Sequence, residues 1–376
     1  MKKSHKQLVF IFLLVLAIRL FFAFSTTTFT GDEAYHNIRQ IESIVETGAP
    51  MFYDPLGQDD KLIIFPPLFY YVLAVFNIFM PLTLVAKIIP NIFASTLVLI
   101  VYMISLELTQ NKRIALINAF IAGFIPIFFK QTINTVSTSS LTIPLIFLCL
   151  FALMTLNKNK NSTLLFLGAL ILLLFTHPIV LLLVLGLLFY LILIRAINLK
   201  QSKVELEVIL FSTFMVFWFL LLLFKKAFLT HGFYTIWQNT PEKILTDYFF
   251  EIGILESIYA IGIVPFIFGV YIIYKYILKK RKRQLYIFAG LAIAAFLLLW
   301  FKLIKPSDSL MILGVSLIVL SSQFYSDFLI FMSKTKLHLK KFYGFFLIFA
   351  VILTSFLPSI SYAKDEIKNS LTDKEK

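Results

Sequence analysis

The chain of 376 residues contains one cysteine, Cys149, so no intrachain disulfide can form and no thiolate ligand set for a metal exists. Redox compartment stays open on that count. Charge is scarce as well: 14% of residues are Asp, Glu, Lys or Arg, against roughly 25% in a soluble domain, while 60% are hydrophobic and 43 are Phe. That balance excludes an ordinary soluble globular fold. Strict apolar/polar alternation is missing from runs such as LLFLGALILLLF, which excludes a transmembrane β-barrel. There is no Walker loop, no dinucleotide fingerprint and no HExxH, so ATP-driven transport and zincin-type proteolysis lack their chemistry. No repeat of 20 to 50 residues and no low-complexity segment recurs beyond a Leu/Phe bias.

What remains is a set of long apolar runs, among them Leu8 to Phe24, Leu164 to Ile194 and Phe342 to Leu357. About 20 apolar residues cross the ~30 Å hydrocarbon core as helix, and helices satisfy every backbone polar group there. The fold class is therefore an all-α polytopic membrane bundle. The net charge of +14 comes from small basic clusters between apolar runs, which reads as the positive-inside rule and not as a nucleic-acid surface. Lys2, Lys3, His5 and Lys6 precede a run that is long and poor in cleavage-site residues, so the first run is expected to be an uncleaved span with its N-terminus cytoplasmic.

Placing Lys112 and Arg113 inside requires that residues 66 to 82, which begin at Pro66-Pro67 and end near Pro81, form a non-spanning re-entrant or interfacial helix. Later clusters, above all KKRKR at 279 to 283, then stay inside. About eleven spans result, with the C-terminus external. Residues 1–200 are expected to form the core module and 201–376 additional spans, with an external segment at 225–257 and a short, mobile polar tail. Trp218, Trp237, Trp300, Tyr234, Tyr248 and Tyr259 read as interface anchors.

Seven of the 20 acidic residues lie in the first external loop, residues 26 to 65: Asp32, Glu33, Glu42, Glu46, Asp54, Asp59 and Asp60. Thr30-Gly31-Asp32-Glu33 reads as a capping box with Thr30 as N-cap, and Gly48 followed by Pro50 as the stop. Ala34, Ile38, Ile41 and Val45 recur at helical spacing, which predicts an amphipathic helix in the outer interface. Asp32 and Glu33 suit the positive end of that helix whether their duty is capping or chemistry. His36 reads as a phosphate ligand or an interfacial residue, and Arg39 as an anion site or a partner of Glu42 or Glu46.

The order of an apolar span, an acidic pair, YH..R, Gly-x-Pro, Tyr-Asp-Pro and PPLFYYVLA resembles the first external loop of GT-C glycosyltransferases, which use polyprenyl-phosphate-linked sugars. The YH..R and DP elements are similar to the oligosaccharyltransferase catalytic subunit; the Asp-Glu pair and PPL..Y segment are similar to protein O-mannosyltransferases and aminoarabinose transferases. The likeness spans about residues 8 to 195. It implies an inverting membrane glycosyltransferase with an acceptor-activating carboxylate at Asp32, Glu33 beside it, a polyprenyl-phosphate sugar donor, and an acceptor that is lipid, glycan or protein. A leaving phosphate needs positive charge nearby, and Arg39, Lys61, Lys130, His177, Lys225 and Lys226 are the candidates. His177, in FTHPIV, stands at the outer end of a span, where a polar residue either serves a cavity or ends the helix before Pro178.

The chain departs from the oligosaccharyltransferase pattern in its second external loop, KQTINTVSTSS, which has no carboxylate. A divalent metal held by both loops therefore lacks half its ligands, and no metal site or cofactor is assigned. Asp54, Asp59 and Asp60 either gather a cation or form a solvated turn. Two other classes fit many spans: a secondary transporter or lipid flippase, disfavoured by the lack of inverted repeats and the poverty of charges within spans, and a non-catalytic subunit retaining the fold.

Overall fold

The computed structural model describes residues 2–53, 64–159, 161–232, 253–278, 282–334 and 340–372. Lys61, Asp54, Asp59, Asp60 and most of the 225–257 segment lie outside the described residues. In chain order the helices are α1 (Lys2–Ala23), α2 (Asp32–Thr47), α3 (Leu68–Asn77), α4 (Leu82–Thr109), α5 (Lys112–Gly123), α6 (Pro126–Ile133), α7 (Ser139–Thr155), α8 (Asn161–Leu174) and α9 (Val180–Ala196). They continue with α10 (Lys203–Leu223), α11 (Lys225–His231), α12 (Ile254–Ile261), α13 (Ile263–Leu278), α14 (Arg283–Trp300), α15 (Pro306–Lys334) and α16 (Lys340–Thr372). No strand occurs among the described residues.

Among the described residues, six helices (α1, α4, α10, α14, α15 and α16) are long and apolar enough to cross a membrane, and the count is eight if α5 with α6 and α12 with α13 are each one bent span. Both bends have local causes. Pro126 at the first position of α6 disfavours helix at Ile125, giving a 49° break. Gly262, at φ 105°, turns the chain by 96° between α12 and α13. The expected count of eleven is not reached: the apolar helices α7, α8 and α9, which it includes as spans, are only 17, 14 and 17 residues long. At ten residues α3 reaches only about 15 Å, half the hydrocarbon thickness. It packs instead on α2 and α4, where Phe69, Leu73, Val85 and Ile41 share one apolar cluster.

Helices α9 and α14 make the most extensive pairwise contact in the bundle. Glycines permit it, because a Cβ on Gly290 would stand 2.6 Å from the Gly186 carbonyl oxygen and 2.8 Å from the Tyr190 nitrogen. At the end of the bundle remote from α2, basic residues find carboxylates: Lys275 with Asp327 at 2.6 Å, Lys158 with Glu107, and Arg283 with Glu205. Two cations deeper in the bundle have none among the described residues. Arg19 donates to Asn91 Oδ1 at 3.0 Å and to Thr132, and lies over the rings of Phe128 and Phe129. Lys87 donates to the carbonyls of Ala23, at 2.6 Å, and of Thr26. It thereby caps the last carbonyl of α1, that of Ala23, and ties down the Thr26 carbonyl just beyond it.

The polar tail differs from expectation. Rather than being mobile, residues 364–372 continue α16, and Glu366 and Ser370 are buried against the first loop.

Candidate functional site

The site is built at the N-terminus of α2, and the connection from α1 aims it. Asn134, at the end of α6, donates from Nδ2 to the Thr28 carbonyl at 3.0 Å and to Thr30 Oγ at 3.2 Å, while its own carbonyl accepts the Thr30 N–H at 3.1 Å. From the other side α16 takes two hydroxyls: Thr28 Oγ donates to the Ser370 carbonyl at 3.0 Å, and Thr30 Oγ to that of Glu366 at 3.2 Å. The Phe29 N–H donates to the Tyr35 hydroxyl at 3.3 Å, and the two rings meet edge to face. The segment before Asp32 is thus gripped along its length. Thr30→Val, nearly isosteric, removes the hydroxyl's bond to the Glu366 carbonyl and one of the acceptors around Asn134 Nδ2, and is expected to lower stability by about 1 kcal/mol, with Thr30→Ser near wild type in a detergent unfolding scan.

This changes the expected cap. Gly31, not Thr30, is the N-cap, at φ 78°, and no side chain caps the helix. Thr30 is occupied by α16, and Glu33 turns away from the backbone to an ion pair with Lys305 at 3.1 Å. The C-terminal stop is as expected: Gly48 is left-handed and donates to the Ile44 carbonyl at 2.9 Å. The buried face is Ala34, Asn37, Ile41 and Ile44, whereas Val45 is exposed. Two buried amides fix that face. Asn37 donates to the Val136 carbonyl at 3.1 Å and accepts the Tyr70 hydroxyl at 2.9 Å, and Gln40 exchanges two hydrogen bonds with the Met51 backbone. α2 is therefore docked on protein more than laid on lipid.

Asp32 is exposed, and its carboxylate makes no hydrogen bond or ion pair with described residues. Glu33 beside it reaches across to the start of α15, where Lys305 and Asp308 stand one turn apart. Asp308 is only 9% exposed and accepts a hydrogen bond from Ser139 Oγ, at the start of α7, at 3.4 Å. The second external loop lacks a carboxylate of its own, yet one from a later loop meets it. His177, in the turn between α8 and α9, lies within electrostatic reach of Asp308, Lys305 and Glu33. Its Nδ1 accepts the Ile179 N–H at 3.1 Å, which leaves the proton of the neutral ring on Nε2.

Burial holds the His177 imidazole below its ordinary 6.5; Asp308 opposes that shift, Lys305 adds to it and Glu33 opposes it. The unfolded chain then binds a proton that the folded chain does not, so this residue contributes stability above about pH 6.5 that is lost as pH falls through the folded value. His177→Gln is expected to lose less of its thermal stability than wild type between about pH 7 and about pH 5, measured as unfolding temperature in detergent.

Of the other sequence candidates, His36 and Arg39 are half-buried further along α2, with the His36 ring 3.5 Å from the Gln40 amide. Lys130, in the last turn of α6, pairs with Glu366 at 3.9 Å and lies over the Tyr362 ring, so it belongs to the α16 contact and not to the Glu33 group. Lys225 and Lys226 open α11. Sequence reasoning passed over Lys305 and Asp308. The signal was a Lys and an Asp three apart in KPSDS, an external turn between two apolar runs. Among the described residues no three His, Cys, Asp or Glu side chains gather closely enough to hold a metal ion.

The helical bundle shares its fold with solved structures of an oligosaccharyltransferase and of ArnT. No protein-family model matches the chain. Residues of the chain are 34% identical over 140 positions to dolichyl-phosphooligosaccharide-protein glycotransferase 2 of Archaeoglobus fulgidus, a match covering 34% of this chain and 23% of that protein. In three dimensions it resembles the oligosaccharyltransferase of Archaeoglobus fulgidus, crystallised with Zn and sulfate, at TM-score 0.65 and 15% identity over 94% of this chain and 53% of that one. It also resembles ArnT of Cupriavidus metallidurans bound to undecaprenyl phosphate, at TM-score 0.56 and 12% identity over 96% of this chain and 75% of that one. At such identities the likeness is one of fold, and the chain spans about a quarter of its curated relative and about half of the oligosaccharyltransferase.

Proposed function

We propose that this protein is a membrane glycosyltransferase that moves a sugar from a polyprenyl-phosphate donor to a lipid, glycan or protein acceptor at the outer membrane face, with inversion. The observation that carries the reading is Asp32: an exposed carboxylate without a partner among the described residues, at the N-terminus of a docked helix, beside a group containing Lys305, His177 and Asp308. Asp32 takes the proton from the acceptor nucleophile as its lone pair forms the bond to the anomeric carbon. The bond from that carbon to the phosphate oxygen breaks, and polyprenyl phosphate leaves with the electron pair. The GT-C fold supports the reading, as does an ArnT neighbour crystallised with undecaprenyl phosphate. An external first loop, with the N-terminus cytoplasmic and the C-terminus outside, is part of the proposal.

The test is transfer of radiolabelled sugar from polyprenyl-phosphate donors by membranes containing the protein, set against the same membranes with Asp32→Asn. Transfer that depends on Asp32 is the expected result. Absence of transfer with every donor, together with lipid translocation in vesicles, would replace the reading with that of a flippase.

A further inference from the structure

The Asp32 carboxylate makes no hydrogen bond or ion pair with described residues, so its place is set by the backbone on either side of it. The α2 side gives little hold at that point. The helix has no side-chain cap, its first-turn N–H groups have no partner inside the helix, and its first buried amide, Asn37, stands more than a turn further on. The other side is the lead-in from α1, and Lys87, in the second turn of α4, touches it at four residues. Its Nζ donates to the carbonyl of Ala23 at 2.6 Å and to that of Thr26, and lies 5.8 Å from the centre of the Phe24 ring and 5.3 Å from that of Phe29. Capping of α1 accounts for the Ala23 contact. The Thr26 carbonyl and the Phe29 ring lie beyond α1, in the chain that leads to Asp32, and a cap has no need of them. The same helix secures the far side of the lead-in: Asn91, one turn after Lys87, donates to the Ile133 carbonyl at 2.9 Å, next to Asn134, which grips Thr28 and Thr30. A buried ammonium with no carboxylate beside it is costly, and a methionine would fill the space without that cost. A methionine cannot hold two carbonyls.

On the reading that Asp32 is the base of a sugar transfer, we propose that Lys87 is a positioning residue: it fixes the lead-in between α1 and α2, and thereby the point at which Asp32 meets the acceptor. Lys87 is buried and touches no reacting atom. It acts through the backbone of residues 23–29, and a misplacement of about 1 Å at a reacting group costs on the order of 100-fold in rate.

The experiment uses the full-length protein in lipid nanodiscs and reads hydrogen–deuterium exchange across residues 24–35, the kcat and donor KM of sugar transfer, and the pH profile of kcat. Lys87→Met is expected to speed exchange in that segment by at least ~10-fold and to lower kcat by at least ~10-fold, with donor KM within ~3-fold of wild type and the acid limb of the profile in place. Lys87→Arg, which keeps the charge and its donors, is expected to hold kcat within ~3-fold of wild type. Lys87→Gln, neutral but still a donor, is expected to fall between the two, and it carries the test where Lys87→Met does not fold. A kcat within ~3-fold of wild type in the folded neutral variants reduces Lys87 to a helix cap and overturns the proposal. Unchanged exchange across the segment overturns it whatever the rate, and an acid limb moved to higher pH would then mark Lys87 as an electrostatic partner of the base. Wild-type protein without Asp32-dependent transfer overturns the functional reading itself, and the positioning role falls with it.

Discussion

Replacing Asp32 with asparagine is expected to slow sugar transfer by at least ~100-fold, the lower bound for removing a positioned general base. The size of the effect follows from the acceptor: a hydroxyl or amide must lose its proton as it attacks, and the amide of asparagine cannot accept one. Folding should be spared. Asp32 is exposed and makes no hydrogen bond or ion pair with described residues, and the helix it opens is capped by Gly31, so the substitution breaks no contact. Expression and unfolding temperature in detergent should match wild type, and transfer rate at saturating donor should not. If Asp32→Asn transfers sugar at the wild-type rate, Asp32 is not the base. Asp308, the buried carboxylate against Ser139, is then the next residue to substitute.

The largest expected effect on stability comes from a methyl group. Gly290→Ala places a Cβ 2.6 Å from the Gly186 carbonyl oxygen and 2.8 Å from the Tyr190 nitrogen, both backbone atoms that no rotamer change can move aside. Overpacking costs about 1–3 kcal/mol in general, and a clash with backbone belongs at the upper end. The gain in helix propensity from Gly to Ala, about 1 kcal/mol, does not offset it. Helices α9 and α14 must then separate along the tightest seam of the bundle. A fall in unfolding temperature, or loss of folded protein on detergent extraction, is the expected result. Gly168→Ala in α8, where a Cβ meets nothing within 4 Å, is the control and should equal or exceed wild-type stability. Equal stability of both variants would mean that the α9–α14 seam is looser than the close approach implies.

Much of the fold is legible in the chain because the solvent is lipid. Hydropathy marks the apolar helices, since an unsatisfied backbone group in hydrocarbon costs several kcal/mol and leaves helix as the only local solution. The shortness of the stretch after Pro66-Pro67 and the charge of Lys112 and Arg113 similarly foretell that α3 is too short to cross. Gly48 stops α2 as its left-handed freedom requires. The box pattern of Thr30 and Glu33 describes a helix with free neighbours. Here the Thr30 hydroxyl and the Glu33 carboxylate have stronger claims on them from α16 and α15. Periodicity finds the apolar stripe of α2 but not its edge against protein, which includes the polar residues Asn37 and Gln40, held by Val136, Tyr70 and Met51.

The amino-acid sequence alone determined that this protein is a helical membrane bundle, that its carboxylates concentrate in the loop after the first span, and that Asp32 heads a helix there. Those properties depend on local composition and short spacing. Only the tertiary structure decided which residues gather around the start of that helix. Glu33 meets Lys305 from 272 positions away, and Ser139 meets Asp308 from 169. Thr30 is held by Glu366 across 336. No periodicity carries such pairings, because they are set by how the helices pack, down to the two glycines that let α9 and α14 touch.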